Sequence, residues 1–344
     1  MRRSIVPCVL ERRMPLQNRV SQLNALVGFN CSDPGAPLQP VRRRLISLLA
    51  GTAALWPALG YADRLGERRT LHLGVVGERA NQPDYVLAQY LPLLDYLRRE
   101  LAPKGIALGE LQIAEDLAEL AGFVRAGKVD VILESLISTF RINAGDALVR
   151  PVLAAWRKGQ RETRTVFFVR QDSQIKQLRD LAGKTLALES SRSTTAYALP
   201  RIVLRRHGLD VQPLGGSNGG PHSVRCVLAN AELNQAYWVG RGQTDAAAFS
   251  TEDWEALPSG LRQELRVIHS TDPILRWLLS ARAGLSSVAL AAVQAALLDM
   301  SASAEGLRVL QQVGRIRRFD RLSVDDLASI KHWRDVAARS GFGE

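Results

Sequence analysis

From Leu71 onward, short apolar runs alternate with stretches in which apolar residues recur every three or four positions. The runs predict strands at 71–76, 110–114, 129–133, 150–155, 164–170, 184–188, 224–229, 244–249, 265–270 and 275–280. The helical spacing predicts helices at 85–101, 116–126, 136–144, 175–181, 194–207, 231–241, 252–256, 286–298, 303–312 and 323–338. Alternation of this kind predicts an α/β architecture with mostly parallel sheets. One stretch, Asp172–Tyr197, carries more than its elements. Ile175, Leu178 and Leu181 share a helical face, Gly183 sits where a helix end needs a left-handed residue, and Thr185–Leu188 reads as a strand covered on both faces. Ser190, Ser191, Ser193, Thr194 and Thr195 then open the next helix. Unpaired N–H groups at a helix start, together with hydroxyls, form an anion site. The same residues also suit plain capping, with Ser193 or Thr194 as the N-cap.

The first 62 residues change the picture of charge and location. The chain has 344 residues and a formal charge of +11, but eight arginines and only two acids precede Asp63. The remainder carries about +5, too mild a balance to imply nucleic acid. Arg42–Ala62 has a basic start, an apolar middle and small residues before Asp63, the layout of a secretory signal cleaved after Ala62. An uncleaved anchor is the alternative. Arg42-Arg43-Arg44-Leu45-Ile46 also fits a twin-arginine pattern, so export by either the general or the twin-arginine route is open. Residues 1–40 hold Pro and Arg clusters and read as a non-native or disordered extension. A signal forty residues into the chain points to translation starting at Val41.

Candidate chemistry is sparse. Cys226 is the one cysteine after the signal, so no intrachain disulfide is expected there, and its apolar surroundings suggest a buried structural thiol. The histidines show no metal-ligand spacing on a helix, and there is no G-x-S-x-G elbow, no G-x-G-x-x-G after a strand and no Walker A motif. The loop Gly215–Gly220 lacks the lysine of a phosphate cradle and reads as flexible. No enzyme chemistry, cofactor or metal is implied. Residues 1–62 show no helix-turn-helix pattern, which removes a transcription regulator from consideration.

The order D-S-x-I-x-x-L-x-D-L-x-G-K-x-x-A, then S-T-T-x-Y, then Pro200, resembles the periplasmic solute-binding proteins of ABC importers, in particular the phosphate/phosphite/phosphonate-binding group. Leu71–Val76, Gln89–Glu100, Val124–Ile132 and Gly242–Phe249 extend the resemblance over roughly 71–319. It implies a two-lobed type II periplasmic-binding-protein fold with two crossings between lobes. The polar stretch Trp156–Thr163 and the stretch Ser270–Arg276, which holds Pro273, are the expected crossings. Lobe one would be 64–158 plus 275–344, with the final helices packed on it, and lobe two 159–274.

In open α/β sheets ligands bind beyond the carboxyl ends of strands. Four such ends are expected: Gly77–Asn81, Glu134–Thr139, Glu189–Thr195 and Asn230–Asn234, with Asp245 starting a further strand toward the cleft. By the resemblance, Ser193, Thr194 and Thr195 hold an anionic group. Tyr197, Glu134, Ser135, Glu232 and Asp245 complete the expected site, and Tyr197, Trp238 and Trp277 are candidates for its walls. Where the resembled group often shows a Gly-Ser-His turn, this chain has Asn230-Ala231-Glu232. Carboxylates thus replace neutral or basic groups. Either the ligand is zwitterionic, or Arg79, Arg192 or Arg276 offsets the excess charge. The resemblance implies a monomeric periplasmic protein that captures a small anionic or zwitterionic ligand for an ABC permease. The alternatives are a sensor feeding a membrane receptor kinase and an enzyme on the same fold. N-terminal sequencing of the exported protein is expected to begin at Asp63, and a precursor beginning at Met1 would overturn the Val41 start.

Overall fold

The computed structural model describes residues 70–77, 83–213 and 220–341. The extension, the signal, Arg79 and most of the Gly215–Gly220 loop lie outside the described residues. Two six-stranded sheets organise the chain. In the first the order is Ile316–Arg321, Val149–Arg157, Trp277–Arg282, Val131–Ser135, Leu73–Val76 and Gln112–Ala114. In the second it is Asp210–Pro213, Ser223–Leu228, Thr185–Leu188, Ala246–Ser250, Thr165–Arg170 and Leu265–Ser270. Helices cover the sheets, giving the α/β, two-lobed class expected from the sequence.

The sheets are mixed rather than mostly parallel. Leu73–Val76 pairs in parallel with both its neighbours, and the run from Asp210–Pro213 to Ala246–Ser250 is parallel throughout. The strands near the crossings are antiparallel: Trp277–Arg282 to both its neighbours, and Thr165–Arg170 to both of its own. A strand that enters a lobe directly from the other one, with no helix before it, has no crossover to force a parallel return.

Local differences have local causes. Residues 175–181 form only a short 3₁₀ turn, Leu178–Leu181. The Asp180 carboxylate accepts from the backbone N–H groups of Lys176 and Gln177, so the turn starts there instead of one turn earlier. Gly183 does take the left-handed conformation expected of it, with φ +75°. The helix expected at 194–207 opens as a π-helical turn, Thr194–Ala198, before becoming α-helical over Leu199–Arg206.

The chain passes between the sheets after Val149–Arg157 and again before Trp277–Arg282, where Glu162–Thr163 and Ile274–Leu275 form a small antiparallel pair. Polar contacts pin this pair. Arg276, only 8% exposed, meets Glu252 at 3.0 Å, and the Thr163 hydroxyl donates to the same carboxylate at 3.0 Å. An apolar cluster runs behind the pair. It joins Leu136, Ile137 and Leu278 of the first lobe to Phe167, Leu199 and Ile202 of the second, and it includes Trp333 of the last helix, Val324–Arg339. That helix was expected to pack on the first lobe. It lies against elements of both, because Trp333, Val336 and Ala337 are buried in the shared cluster and the Trp333 indole donates to Pro273 O at 2.9 Å.

The same helix is tied to the first crossing by Arg161, whose guanidinium donates to both oxygens of Asp326. The hydrogen bonds from Arg161, reinforced by the N–H and hydroxyl of Ser323, hold the Asp326 carboxyl down at about 2. A carboxyl depressed in the folded state stabilises the fold above its unfolded value, and this is lost as pH falls through the folded one. Asp326→Asn should therefore lower the unfolding free energy at pH 7 by about 2–3 kcal/mol. In urea melts the gap from the parent should narrow between about pH 4 and pH 2.

Candidate functional site

Strand ends from both sheets face each other across a cavity of about 640 Å³. The first lobe supplies Gly77 beyond one strand, Glu134 and Ser135 at the end of another, and Asp116 at the start of helix Leu117–Arg125. The second supplies all of Glu189–Thr195, then Glu232 in the first turn of Glu232–Gly240 and Asp253 in Thr251–Glu255. Arg157, Lys158, Arg276 and Trp277 enter from the crossings. Of the expected site residues, Ser193, Thr194, Thr195, Glu134, Ser135 and Glu232 are thus brought together.

Tyr197 and Asp245 are not. Asp245 precedes strand Ala246–Ser250, which runs parallel to Thr185–Leu188, so it lies at the end of the sheet away from the cavity. There its carboxylate accepts from the Thr185 N–H at 2.7 Å and hydroxyl at 2.6 Å, a structural role. Tyr197 packs its ring on the apolar cluster behind the crossings, and its hydroxyl accepts from Arg201. Of the proposed walls, Trp277 lines the cavity, whereas Trp238 packs on the core of the second lobe.

The hydroxyl turn is built as both a cap and a junction. Ser193 Oγ accepts from the Ala196 N–H at 3.1 Å, so the capping role expected of it is present. The Thr194 hydroxyl lies 2.7 Å from the Ser135 hydroxyl of the facing lobe. Ser135 in turn caps helix Leu136–Ile142 by accepting from the Ser138 N–H at 3.1 Å. Two helix starts, each with a positive end, therefore meet through these hydroxyls at one region of the cavity. The π-helical opening widens that turn, a distortion that collects at functional sites.

The charges are mixed. Asp116, Glu134, Glu189, Glu232 and Asp253 line the cavity together with Arg141, Arg157, Lys158, Arg192 and Arg276. Several are already matched. Arg276 pairs with Glu252, Lys158 stands 3.8 Å from Asp253, and Glu134 accepts from the Val76 N–H at 3.3 Å. Arg157 lies flat on the Trp277 ring, 4.1 Å from its centroid, and donates to Gly314 O at 3.1 Å. Lys158 holds a left-handed conformation at φ +53°, which turns the chain back within the crossing. Glu189 is matched only in part. Burial, and secondarily the neighbouring Glu232, push its carboxyl above the usual range, partly offset by a hydrogen bond from Ser193.

Sequence reasoning missed Arg157, Lys158 and Asp253. The first two lie in the stretch read as a crossing, and a crossing between lobes borders the cleft by construction. Asp253 follows the carboxyl end of Ala246–Ser250, the end that the sequence reading overlooked in favour of Asp245. Among the described residues no group of three or more His, Cys, Asp or Glu could hold a metal ion. Cys226 is half-buried, and burial raises its thiol.

Residues 79–327 match the family described as ABC transporter, phosphonate, periplasmic substrate-binding protein. XAC2383 from Xanthomonas citri, in structures bound to chloride ion and to ATP, is 26% identical, with a TM-score of 0.70 over 79% of this chain and 98% of its own. Two more distant structures share the fold. A binding protein component of an ABC phosphonate transporter from Pseudomonas aeruginosa is 18% identical, with a TM-score of 0.53 over 80% of this chain and 89% of its own. PhnD1 from Prochlorococcus marinus, in complex with methylphosphonate, is 13% identical, with a TM-score of 0.56 over 80% of this chain and all 100% of its own. No curated protein sequence matches the chain.

The raised carboxyl of Glu189 has a testable sign. An acid whose folded value lies above its unfolded one penalises the fold once pH rises past the unfolded value. Glu189→Gln should raise the melting temperature at pH 7, and the gain should vanish below about pH 4. A gain that persists at low pH would show a cause other than ionisation.

Proposed function

Because the chain belongs to the phosphonate-type family of periplasmic substrate-binding proteins of ABC transporters, we propose that its inter-lobe cavity captures a small phosphonate- or phosphate-like ligand, anionic or zwitterionic. The observation that carries this reading is the Glu189–Thr195 turn. Hydroxyls, helix-start N–H groups and a facing helix start converge there on one side of the cavity. Ser193, Thr194 and Thr195 receive the anionic group, with Ser135 opposite. The carboxylates decide what else the ligand carries. Glu189 and Glu232 disfavour a bare dianion held against them in a poorly solvated space, and an ammonium group on the ligand would offset them. Arg157, stacked on Trp277, adds positive charge to that side of the cavity. Such a ligand enters the cavity with little change in net charge.

The domain division proposed from the sequence, 64–158 plus 275–344 against 159–274, gives the two bodies that close on the ligand. A permease of the ABC type reads the closed form. The protein acts as a monomer in the periplasm after export on the 41–62 signal, by the general or the twin-arginine route. The family's members are transport binding proteins. The sensor and enzyme alternatives gain no support from the comparisons.

The test is calorimetry of the double variant Ser193→Ala, Thr194→Ala. The panel runs from phosphate and methylphosphonate through an aminoalkylphosphonate to ATP, the ligand of the 26%-identical relative. Affinity for whichever ligand the parent binds should fall by about 10-fold or more, from loss of the Thr194 hydroxyl bond to a charged group and of the Ser193 hydroxyl that answers Glu189. Loss of the Ser193 cap costs about 1 kcal/mol, so the melting temperature should drop by only a few degrees. Unchanged affinity would retire the turn as an anion site.

A further inference from the structure

The hydroxyl turn follows strand Thr185–Leu188 and so belongs to the second lobe, yet one of its side chains grips the first lobe's backbone. Arg192 Nη1 donates to Gly77 O at 2.7 Å, and Nη2 lies 3.4 Å from Glu115 O. Gly77 and Glu115 sit just beyond the carboxyl ends of two adjacent parallel strands, Leu73–Val76 and Gln112–Ala114. The Gly77 N–H donates to Ala114 O at 2.9 Å and locks the two ends together. The guanidinium therefore spans two neighbouring strand ends through its planar fork, a geometry a lysine ammonium cannot reproduce. Both of these acceptors are backbone carbonyls, so the two hydrogen bonds depend on where the lobes stand.

We propose that Arg192 is a closure latch that couples occupancy of the anion-binding turn to the closed arrangement of the lobes. The proposal rests on reading Ser193–Thr195 as the anion site. A ligand held by those residues fixes the backbone of the turn, and the neighbouring residue is then presented to Gly77 and Glu115. Rotation about the crossings moves the turn away from the first sheet and breaks both hydrogen bonds. The contacts of Arg192 thus exist only when the cleft is shut, whereas the cap of Ser193 and the bond from Thr165 Oγ1 to Thr195 O, at 2.7 Å, lie within the second lobe and survive opening. Apparent affinity equals intrinsic affinity weighted by the closed fraction, so a latch raises affinity whether or not it touches ligand. Its effect falls on release, because the bonds must break before the ligand can leave. Arg192 is in this sense a positioning residue, and the nearby contact between Thr194 and Ser135 is its partner in holding the lobes shut.

The experiment compares the full chain with its Arg192→Ala and Arg192→Lys variants. Small-angle scattering is recorded without ligand and with saturating methylphosphonate or inorganic phosphate, alongside stopped-flow dissociation of the same anions. Arg192→Ala should show a larger radius of gyration than the parent under matched conditions, with an unchanged melting temperature. Its affinity should be about 10- to 100-fold weaker, from loss of charge-assisted hydrogen bonds, and mainly through faster dissociation. Arg192→Lys should fall between the two. Equal radii and equal dissociation rates in parent and Arg192→Ala would overturn the latch. If the parent binds neither anion, a smaller ligand-free radius in the parent than in Arg192→Ala keeps the latch while the anion reading of the turn falls; equal ligand-free radii then overturn both.

Discussion

A buried guanidinium ties the two crossings to the second lobe. The strands that cross from one lobe to the other pair over only two residues each, too little to fix a direction. Arg276 supplies what the short pair lacks. Its side chain leaves the second crossing, meets Glu252 of the second lobe, and shares that carboxylate with Thr163 of the first crossing. The Arg276 N–H also donates to Arg161 O at 3.0 Å, which joins the two crossings again. A buried ion pair gains little net stability over an apolar contact, but removing one partner strands the other. The cavity walls supplied by Arg157, Lys158 and Trp277 inherit their positions from this arrangement.

The mixed charge of the cavity follows from the same design. Cations come mainly from the crossings and the hydroxyl turn, and carboxylates from strand ends and helix first turns. Each carboxylate at a helix start is favoured by the macrodipole, whatever the ligand. Glu232 and Asp253 therefore cost the empty protein little. Glu189 differs, because it is drawn under the turn and close to a second acid. In such a place a charge is tolerated only if something within reach answers it, and Ser193 answers it in part.

The alternation of elements was legible in the sequence because buried strands and covered helices leave opposite periodicities. The hydroxyl turn was legible because five Ser and Thr residues crowd the end of one apolar run. Strand Ile316–Arg321 was not, since a register shift separates its two buried residues, Ile316 and Phe319, by three positions and destroys the period of two. Asp210–Pro213 buries only Val211 and so gives no pattern. The misplacement of Asp245 was avoidable. A residue that precedes a strand parallel to Thr185–Leu188 must lie at the far end from a turn that follows it. Strand direction itself, antiparallel beside the crossings, leaves no trace in composition, because either direction buries the same apolar run.

Gly314 lies outside the cavity, at the start of the loop before Ile316–Arg321, in a left-handed conformation at φ +69°. A Cβ there would come within 3.3 Å of the Trp277 ring and 3.4 Å of Arg157 Nε, so the stacked pair rests against a bare backbone. The Trp277 side of the cavity thus rests on a residue that is not among its lining. For the lineage of this protein that makes ligand preference open to drift at a distance. A single change at Gly314 would reshape the pocket while leaving every lining residue in place, and an inventory of pocket residues would not register it.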